Sequence, residues 1–483
     1  MKDNDSFKDF MIALREDVKG GAILEVKDRC LLRGIVRADE DPKIRRLAAQ
    51  ILGYANDYES LETILKAYLR EETLYVRADY LKAISKMDYS PYIPRLKARL
   101  AEIEELDVTD DKKVHLLEEA KVLRELITKK EGVERHTFTG LKKEWEILLS
   151  TRPGMQQITY DQLQNIPRKK ISLGVMVKAT DIMPLWEIRT FDEMLFYMGR
   201  TVDMPLLVEI LGLELKRLGV ISFIRDTHKQ RHPIGIRIAM PIHDALNKRG
   251  ILQKRLGMEL TNLSDGFLVN ATTGYEVEIR LLNLANGGYH VFVKLFTIPK
   301  NRFHYRKETL PTSIKPTLAA NLVRLAKPYM KEGAQIIDPF CGVGTMLIER
   351  RMQVRAGDTY GVDKYGKAIE MARINAQEVG PNIHFIHRDF NTFKHEYMFD
   401  ELITNMPTQS KQVSRADVKA CYEMLFRKAR ELLKIKGMMF VYGNEHGLMK
   451  QQLRLQHDFV LIREYLIDKR SDTHFYIIRY EER

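Results

Sequence analysis

The chain has 483 residues, 45% hydrophobic and 30% charged, which is the composition of a folded protein of two to four domains and excludes disordered or collagen-like classes. No apolar run reaches membrane-spanning length and the start, MKDNDSFKDF, is too polar for a secretory signal, so a cytoplasmic protein with no membrane association is expected. Three scattered cysteines, Cys30, Cys341 and Cys421, exclude a disulfide framework, and with no Cys-x-x-Cys pair no metal is expected.

The net charge of +12 is unevenly spread: residues 1–140 carry about −2, residues 141–300 about +6 and the remainder about +8. A polyanion such as RNA would be drawn to the basic part by counterion release.

Residues 1–135 read as helices throughout, with apolar positions at helical spacing. Ile44-Arg45 followed by Ala48, Ala49 and Leu52 matches Val76-Arg77 followed by Tyr80, Leu81 and Ile84, 32 residues on. Each copy follows an acidic stretch, Asp39-Glu40-Asp41 or Glu71-Glu72, that favours the start of a helix. The pattern resembles HEAT repeats, with a degenerate third copy before Lys130. It implies scaffolding or docking of a protein partner and offers no catalytic constellation.

Lys129 to His136 reads as a charged linker. From 136 to 300 the texture becomes mixed: strands are expected at Ile171–Val177, Val220–Arg225, Tyr275–Leu282 and His290–Phe296, with Asn286-Gly287-Gly288 as a hairpin turn between the last two. Helices are expected at Phe191–Tyr197 and Pro205–Leu218. The segments LLSTRPGMQQITYDQL and YHVFVKLFTIPKNRFHYRKE resemble the ferredoxin-like lead-in and THUMP module of RNA-modifying enzymes. Arg225, His228, Lys229, Arg231 and His232 follow a predicted strand, where a phosphate-binding loop would emerge; Arg225, Lys229 and Arg231 are the candidate RNA contacts.

Residues 301–483 carry the chemistry. Gln335–Asp338 is a buried-type strand, followed by Pro339-Phe340-Cys341-Gly342-Val343-Gly344-Thr345 and a helix to about Met352. Gly342 and Gly344 permit a tight turn with amides open to a ligand, and a Walker-type site is excluded because Gly-Lys-Ser/Thr is missing. A second strand, Thr359–Val362, ends at Asp363, at the distance where a carboxylate accepts ribose hydroxyls. After a helix at Lys367–Glu378, a third, Ile383–Ile386, leads to Asp389, and a fourth, Glu401–Thr404, delivers Asn405. Any one aspartate alone reads as a helix cap; four ordered strand ends read as a nucleoside-cofactor site.

DPFCGVGT resembles the first motif of S-adenosylmethionine-dependent methyltransferases acting on RNA guanines. RFHYRKETLPTSIKPTLAANLVRLA resembles the segment that precedes it in THUMP-bearing enzymes, and the likeness is greatest to the tRNA guanine-N2 methyltransferases. The resemblance implies S-adenosylmethionine as cofactor, with Pro311, Thr312 and Ser313 near its methionine part, Asp338 near its ammonium and the turn from Pro339 to Thr345 around its carboxylate and sugar. It further implies a strand-four motif, Asn/Asp-Pro-Pro-aromatic, whose asparagine oxygen and following carbonyl accept the hydrogens of a target amine. Here that motif is Asn405-Met406-Pro407-Thr408: the asparagine and second proline remain, the first proline and the aromatic do not. Tyr442, Phe303 or Tyr305 would then supply base stacking. Covalent attack by Cys341 or Cys421 is discounted, since one lies in the cofactor turn and the other mid-helix.

The expected architecture is thus an all-α HEAT-like domain (1–135), an α/β THUMP-like RNA-binding domain (136–300) and a Rossmann-like class I methyltransferase domain (301–483), methylating a guanine N2 in tRNA. The alternatives are an enzyme of the same fold acting on rRNA or an adenine amine, and a non-catalytic RNA-binding adaptor.

Overall fold

The computed structural model describes residues 2–105, 110–131, 136–202, 207–229, 233–240, 246–271, 273–285, 287–299, 302–380, 383–410 and 413–481. The chain divides into two units, residues 1–135 and 136–483. Among the described residues no helix is long and apolar enough to cross a membrane.

The first unit is built from α1 (Lys2–Lys19), α2 (Val26–Ala38), α3 (Pro42–Tyr54), α4 (Leu61–Arg70), α5 (Leu74–Ile84), α6 (Ile93–Glu105) and α7 (Asp110–Glu131). The two sequence copies are α3 and α5. Their small residues let the helices approach closely: a Cβ on Gly53 would lie 2.8 Å from the Ala83 carbonyl. Asp41 caps α3 through the Lys43 amide, as the acidic stretch predicts. The second acid does more than cap. Glu71 accepts from the Thr73 amide and also takes Arg45 of the preceding copy at 2.8 Å. Arg77, the counterpart of Arg45, reaches Glu119 of α7 at 3.5 Å, and Glu119 also receives Tyr68 at 2.6 Å and Arg99 at 3.0 Å. Each copy is therefore tied to the next by an arginine on a buried carboxylate.

The second unit carries two sheets. Among the described residues the first has eight strands: β1 (Trp145–Ser150), β2 (Arg168–Ile171), β3 (Gly174–Ala179), β4 (Glu193–Arg200), β5 (Ile234–Ala239), β6 (Leu268–Asn270), β7 (Val277–Asn283) and β8 (Tyr289–Leu295). Their order is β2-β3-β1-β4-β8-β7-β5-β6, antiparallel except that β5 runs parallel to β6 and β7.

Several expectations fail in this region for identifiable reasons. Phe191–Tyr197 is not a helix: most of it lies in β4, which pairs with β1 and β8, and Met194, Leu195, Phe196 and Met198 are all buried. With both faces covered, the strand loses its alternation. Val220–Arg225 is not a strand but part of the helix Val220–Asp226, which starts at Gly219 (φ 79°) and buries Val220, Ile221, Phe223 and Ile224 at helical spacing despite their branched side chains. Ile171–Val177 is a hairpin, β2 to β3, rather than one strand. The linker is shorter than predicted: Lys129–Glu131 belong to α7, and His136 is buried with its Nδ1 2.7 Å from Glu276. The β7–β8 hairpin forms as expected, with Gly287 and Gly288 at positive φ; Asn286 lies outside the described residues.

The second sheet comprises β9 (Ala334–Asp338), β10 (Ala356–Asp363), β11 (Ile383–His387), β12 (Phe399–Asn405), β13 (Leu433–Gly443), β14 (Phe459–Asp468) and β15 (Thr473–Tyr480), in the order β11-β10-β9-β12-β13-β15-β14. The strands from β11 to β13 are parallel, and β15 enters antiparallel between β13 and β14. Separate apolar clusters, one holding Ile336, Phe385, Ile403 and Phe440 and the other Ile337, Leu402, Met439 and Tyr476, cover its two faces. The order reverses between β10-β9 and β12, which opens a crevice at the carboxyl ends of those strands.

The two sheets are joined by buried polar contacts. Arg189 grips Glu349 at 2.7 and 2.9 Å, and Tyr305 donates to the same carboxylate at 2.6 Å. Arg302 donates to the Ile188 and Phe191 carbonyls and lies 3.7 Å from the Phe191 ring; burial, with Arg189 beside it, lowers its pKa to about 10. Tyr305 is thus a structural residue, and Phe303 lies under Arg189 and Arg302, so neither is the stacking surface the motif lacks.

Candidate active site

β9 ends at Asp338, whose side chain is only 1% exposed. Its Oδ1 accepts from the Phe340 amide (3.1 Å) and the Thr404 hydroxyl (2.7 Å). Burial, with a smaller contribution from neighbouring Asp363, outweighs those bonds and pushes its pKa up to about 7. A buried carboxylate that no cation neutralises is costly, and it suits a ligand that brings a positive charge.

The turn after it bends as the glycines require. Gly342 (φ 51°) donates its amide to Asp363 Oδ2 at 2.9 Å, and a Cβ there would meet nothing within 4 Å. It therefore borders open space. Gly344 (φ 82°) faces the opposite way: a Cβ would come within 2.8 Å of the Phe385 ring, and one on Gly361 would meet the same ring and Cys341 Sγ at 2.9 Å. Thr345 opens the helix Thr345–Gln353, and its buried hydroxyl has no hydrogen-bond partner among the described residues. Pro339 is buried and Phe340 half-buried, edge-on to Phe390.

Asp363 ends β10, and its Oδ1 accepts the Tyr365 amide at 2.9 Å. Asp389 follows β11, is exposed and caps the short helix Phe390–Thr392 through the Asn391 amide. Asp338, Asp363, Asp389 and Asn405 stand at or just beyond the ends of neighbouring parallel strands, as the spacing predicts. Pro311 and Thr312 are exposed in a turn that Ser313 closes, its hydroxyl accepting from the Leu310 amide at 2.9 Å.

β12 delivers Asn405, and the strand is anchored nearer its start. Arg350, on the helix after the glycine turn, forms a fully buried pair with Glu401 of β12 at 2.8 and 2.9 Å. Among the described residues, neither the Asn405 side chain nor the Met406 carbonyl has a hydrogen-bond partner, and Pro407 follows half-buried. Met406 explains the lost proline. Its amide donates to the Tyr442 carbonyl at 2.8 Å, extending the β12–β13 pairing by one residue, which proline cannot do. Its side chain is 1% exposed and packs into the core near Gly443 and Tyr422.

Sequence reasoning missed two residues here. Asn375, fully buried, bonds the Glu308 amide and carbonyl and the Val343 carbonyl, tying the loop that leads to Pro311–Ser313 to the glycine turn. Thr404 steadies Asp338; as the buried polar residue beside Asn405 in an otherwise apolar strand, it was the readable one. Of the proposed RNA contacts, Arg225 and Lys229 are exposed, Arg225 lying over the Phe267 ring. Arg225 lies in the last turn of the helix Val220–Asp226 and Lys229 just beyond it, so neither follows a strand. His228 is buried between the Ile224 carbonyl and Thr297, and Arg231 and His232 lie outside the described residues.

The reversed strand order, the glycine turn and the unpaired carboxylate define the second sheet as a Rossmann-like domain of the methyltransferase type, a class that uses S-adenosylmethionine. Residues 303–466 match the family described as the RMKL-like methyltransferase domain, and residues 31–110 match HEAT repeats. Over 155 residues, 29% of this chain, it is 30% identical to tRNA (guanine(10)-N2)-dimethyltransferase of Methanothermobacter thermautotrophicus, covering 45% of that protein. Over 84 residues, 17% of this chain, it is 36% identical to a probable cobalt-precorrin-6B C(15)-methyltransferase (decarboxylating) of Saccharolobus solfataricus, covering 40% of it. The chain thus spans less than half the length of these curated relatives. The crystal structure of TrmN from Thermus thermophilus superposes with a TM-score of 0.53 at 18% identity, over 70% of this chain and 100% of that one. A putative methyltransferase, SMU.472, complexed with SAH gives 0.53 at 17%, over 71% and 100%. These likenesses carry the fold alone, over 70% and 71% of this chain.

Proposed function

We propose that this chain transfers a methyl group from S-adenosylmethionine to the exocyclic N2 of a guanine in tRNA. The observation that carries the reading is the pair of partnerless acceptors, Asn405 Oδ1 and the Met406 carbonyl, at the end of the strand beside Asp338. The residues present fit the cofactor: Gly342 borders open space, Asp338 lacks a cation and Thr345 keeps an unused hydroxyl.

Asp338 would hold the ammonium, the open side of the glycine turn at Gly342 the carboxylate and sugar side, Asp363 the ribose and Asp389 the adenine amine, with Pro311 to Ser313 beside the methionine part. When bound, the cofactor supplies an activated methyl on a sulfonium. Asn405 and the Met406 carbonyl accept the hydrogens of the target amine, drawing its lone pair out of conjugation as positive charge develops on nitrogen. Pro407 limits the freedom of the backbone after them. The target guanine must leave its stack to reach them. Residues 136–300 serve as a THUMP-like RNA-binding domain, presenting Arg225, Lys229 and Arg231 to phosphates, and the helical repeats dock a protein partner in the cytoplasm.

Incubation with bulk small RNA and labelled cofactor, followed by nucleoside analysis, tests this. Label in N2-methylguanosine or N2,N2-dimethylguanosine is expected. Label in adenosine, or in rRNA alone, overturns the substrate; RNA binding without any label identifies an adaptor.

A further inference from the structure

At the same end of β13, a second cluster of polar side chains has no part in this reaction. His446, Glu464 and His474 come from the helix His446–Leu455, from β14 and from β15, and each offers a ligand atom within 4.8 Å of the others. The absence of cysteine pairs hid it, because its members are 18 and 10 residues apart and meet only when β15 folds back beside β14.

Glu464 Oε1 lies 2.9 Å from His474 Nδ1 and 3.2 Å from His446 Nδ1. Neither approach has hydrogen-bond alignment; among the described residues His474 Nδ1 is buried without a hydrogen-bond partner, whereas His446 Nδ1 shares a hydrogen bond with the Tyr476 hydroxyl at 2.9 Å that a bound ion would displace. The two separations from Glu464 Oε1 are close to the edge of a tetrahedron of ligands, about 3.3 Å for bonds of about 2.0–2.1 Å, and all three ligand atoms lie within 4.8 Å of one another. Asp472 lies 3.0 Å from His474 Nε2. Both ring nitrogens face carboxylates, but only the Nε2 contact has hydrogen-bond alignment, so Nε2 carries the donated proton and Nδ1 faces the ligand group. This is the carboxylate–histidine support that metal-binding imidazoles usually have. Lys450 occupies the other Glu464 oxygen, Oε2, leaving Oε1 for the histidine side. With both rings neutral, Glu464, Asp472 and Lys450 sum to one negative charge.

We infer that His446 Nδ1, His474 Nδ1 and Glu464 Oε1 bind one divalent first-row transition cation of the Zn2+ type, with a fourth position open to water. The ion joins three elements beside the reaction edge: His474 pairs in register with Gly443, next to Tyr442, whose carbonyl holds Met406. Its role is to position that edge.

The full-length chain, stripped with a chelator and dialysed, is titrated with Co2+ and then with Zn2+ in competition with a chromophoric chelator. One equivalent of Co2+ with the intense visible bands of a tetrahedral site, displaced by one equivalent of Zn2+, is expected. His474→Ala and, separately, the more exposed His446→Ala should each weaken binding at least ~10-fold, with S-adenosylhomocysteine affinity kept within about twofold as the measure of folding. Co2+ binding without tetrahedral bands, less than one equivalent at micromolar metal, or unchanged affinity in the folded His446→Ala protein overturns the site. The wild-type spectrum alone decides the matter if both variants fail to fold.

Discussion

Buried charge in the helical unit holds the fold, whereas in the second unit it serves two ends: Arg189 and Arg350 match Glu349 and Glu401, and Asp338 has no such match. In the helical unit every buried carboxylate that joins one repeat to the next is answered by arginine: Arg45 on Glu71, Arg77 and Arg99 on Glu119. In the methyltransferase sheet, Asp338 is as deeply buried and has only a hydroxyl and an amide. The difference teaches how to read such groups: a buried acid matched by protein cations holds the fold together, whereas one left without a cation is held ready for something that arrives later.

The sharpest test of that contrast removes an acceptor and leaves the carboxylates alone. Asn405→Ala should lower kcat at least ~100-fold, with cofactor affinity within about twofold, because Asn405 stabilises charge that develops only in the transition state. Unchanged turnover by radiolabel transfer would remove Asn405 from the mechanism. Glu119→Gln should cost the helical unit ~3 kcal/mol in chemical denaturation by stranding Arg77 and Arg99, with no change in affinity for S-adenosylhomocysteine. A weaker cofactor affinity in this variant would break the division of labour.

Asp338→Asn should behave in the reverse manner. At pH 8 it should weaken S-adenosylhomocysteine binding ~10-fold or more by calorimetry, through loss of a charge-assisted bond. Its effect on the apoprotein follows from a pKa raised from 3.8 to about 7. The folded state binds the extra proton between those values, so stability from this group is fully present below about pH 4 and is lost as pH rises through 7. The asparagine variant should lack that slope and melt higher than wild type at pH 8. A flat wild-type profile would show that the carboxylate is already neutralised. The smallest effect is expected from Arg225→Ala with Lys229→Ala: several-fold weaker tRNA binding at moderate salt, and a salt dependence shallower by about one counterion per contact. No change by filter binding would move the RNA surface elsewhere.

The methyltransferase sheet was largely legible in the sequence because its parallel strands are short apolar runs that each end in one polar residue, and Asp338, Asp363, Asp389 and Asn405 fell where the spacing put them. The first sheet was harder to read. β4 is covered on both faces and so imitates a buried helix, while Val220–Asp226 places branched residues in a helix whose buried positions decide the matter. Asn375 and the His446, Glu464 and His474 group were invisible for another reason: their partners are set by how distant segments cross, which no local period encodes. Met406 marked the opposite case, since the missing proline was plain in the sequence but its purpose, an extra rung to Tyr442, was not.

β15 sits between β13 and β14 although it follows both along the chain. While the protein is being synthesised, β13 therefore keeps an open edge and β14 has no neighbour until residues 473–480 leave the ribosome. Such an edge invites wrong pairing. The helical unit, made first, can complete itself early, so a stalled or shortened nascent chain should leave a well-folded front end attached to a sticky, half-finished sheet.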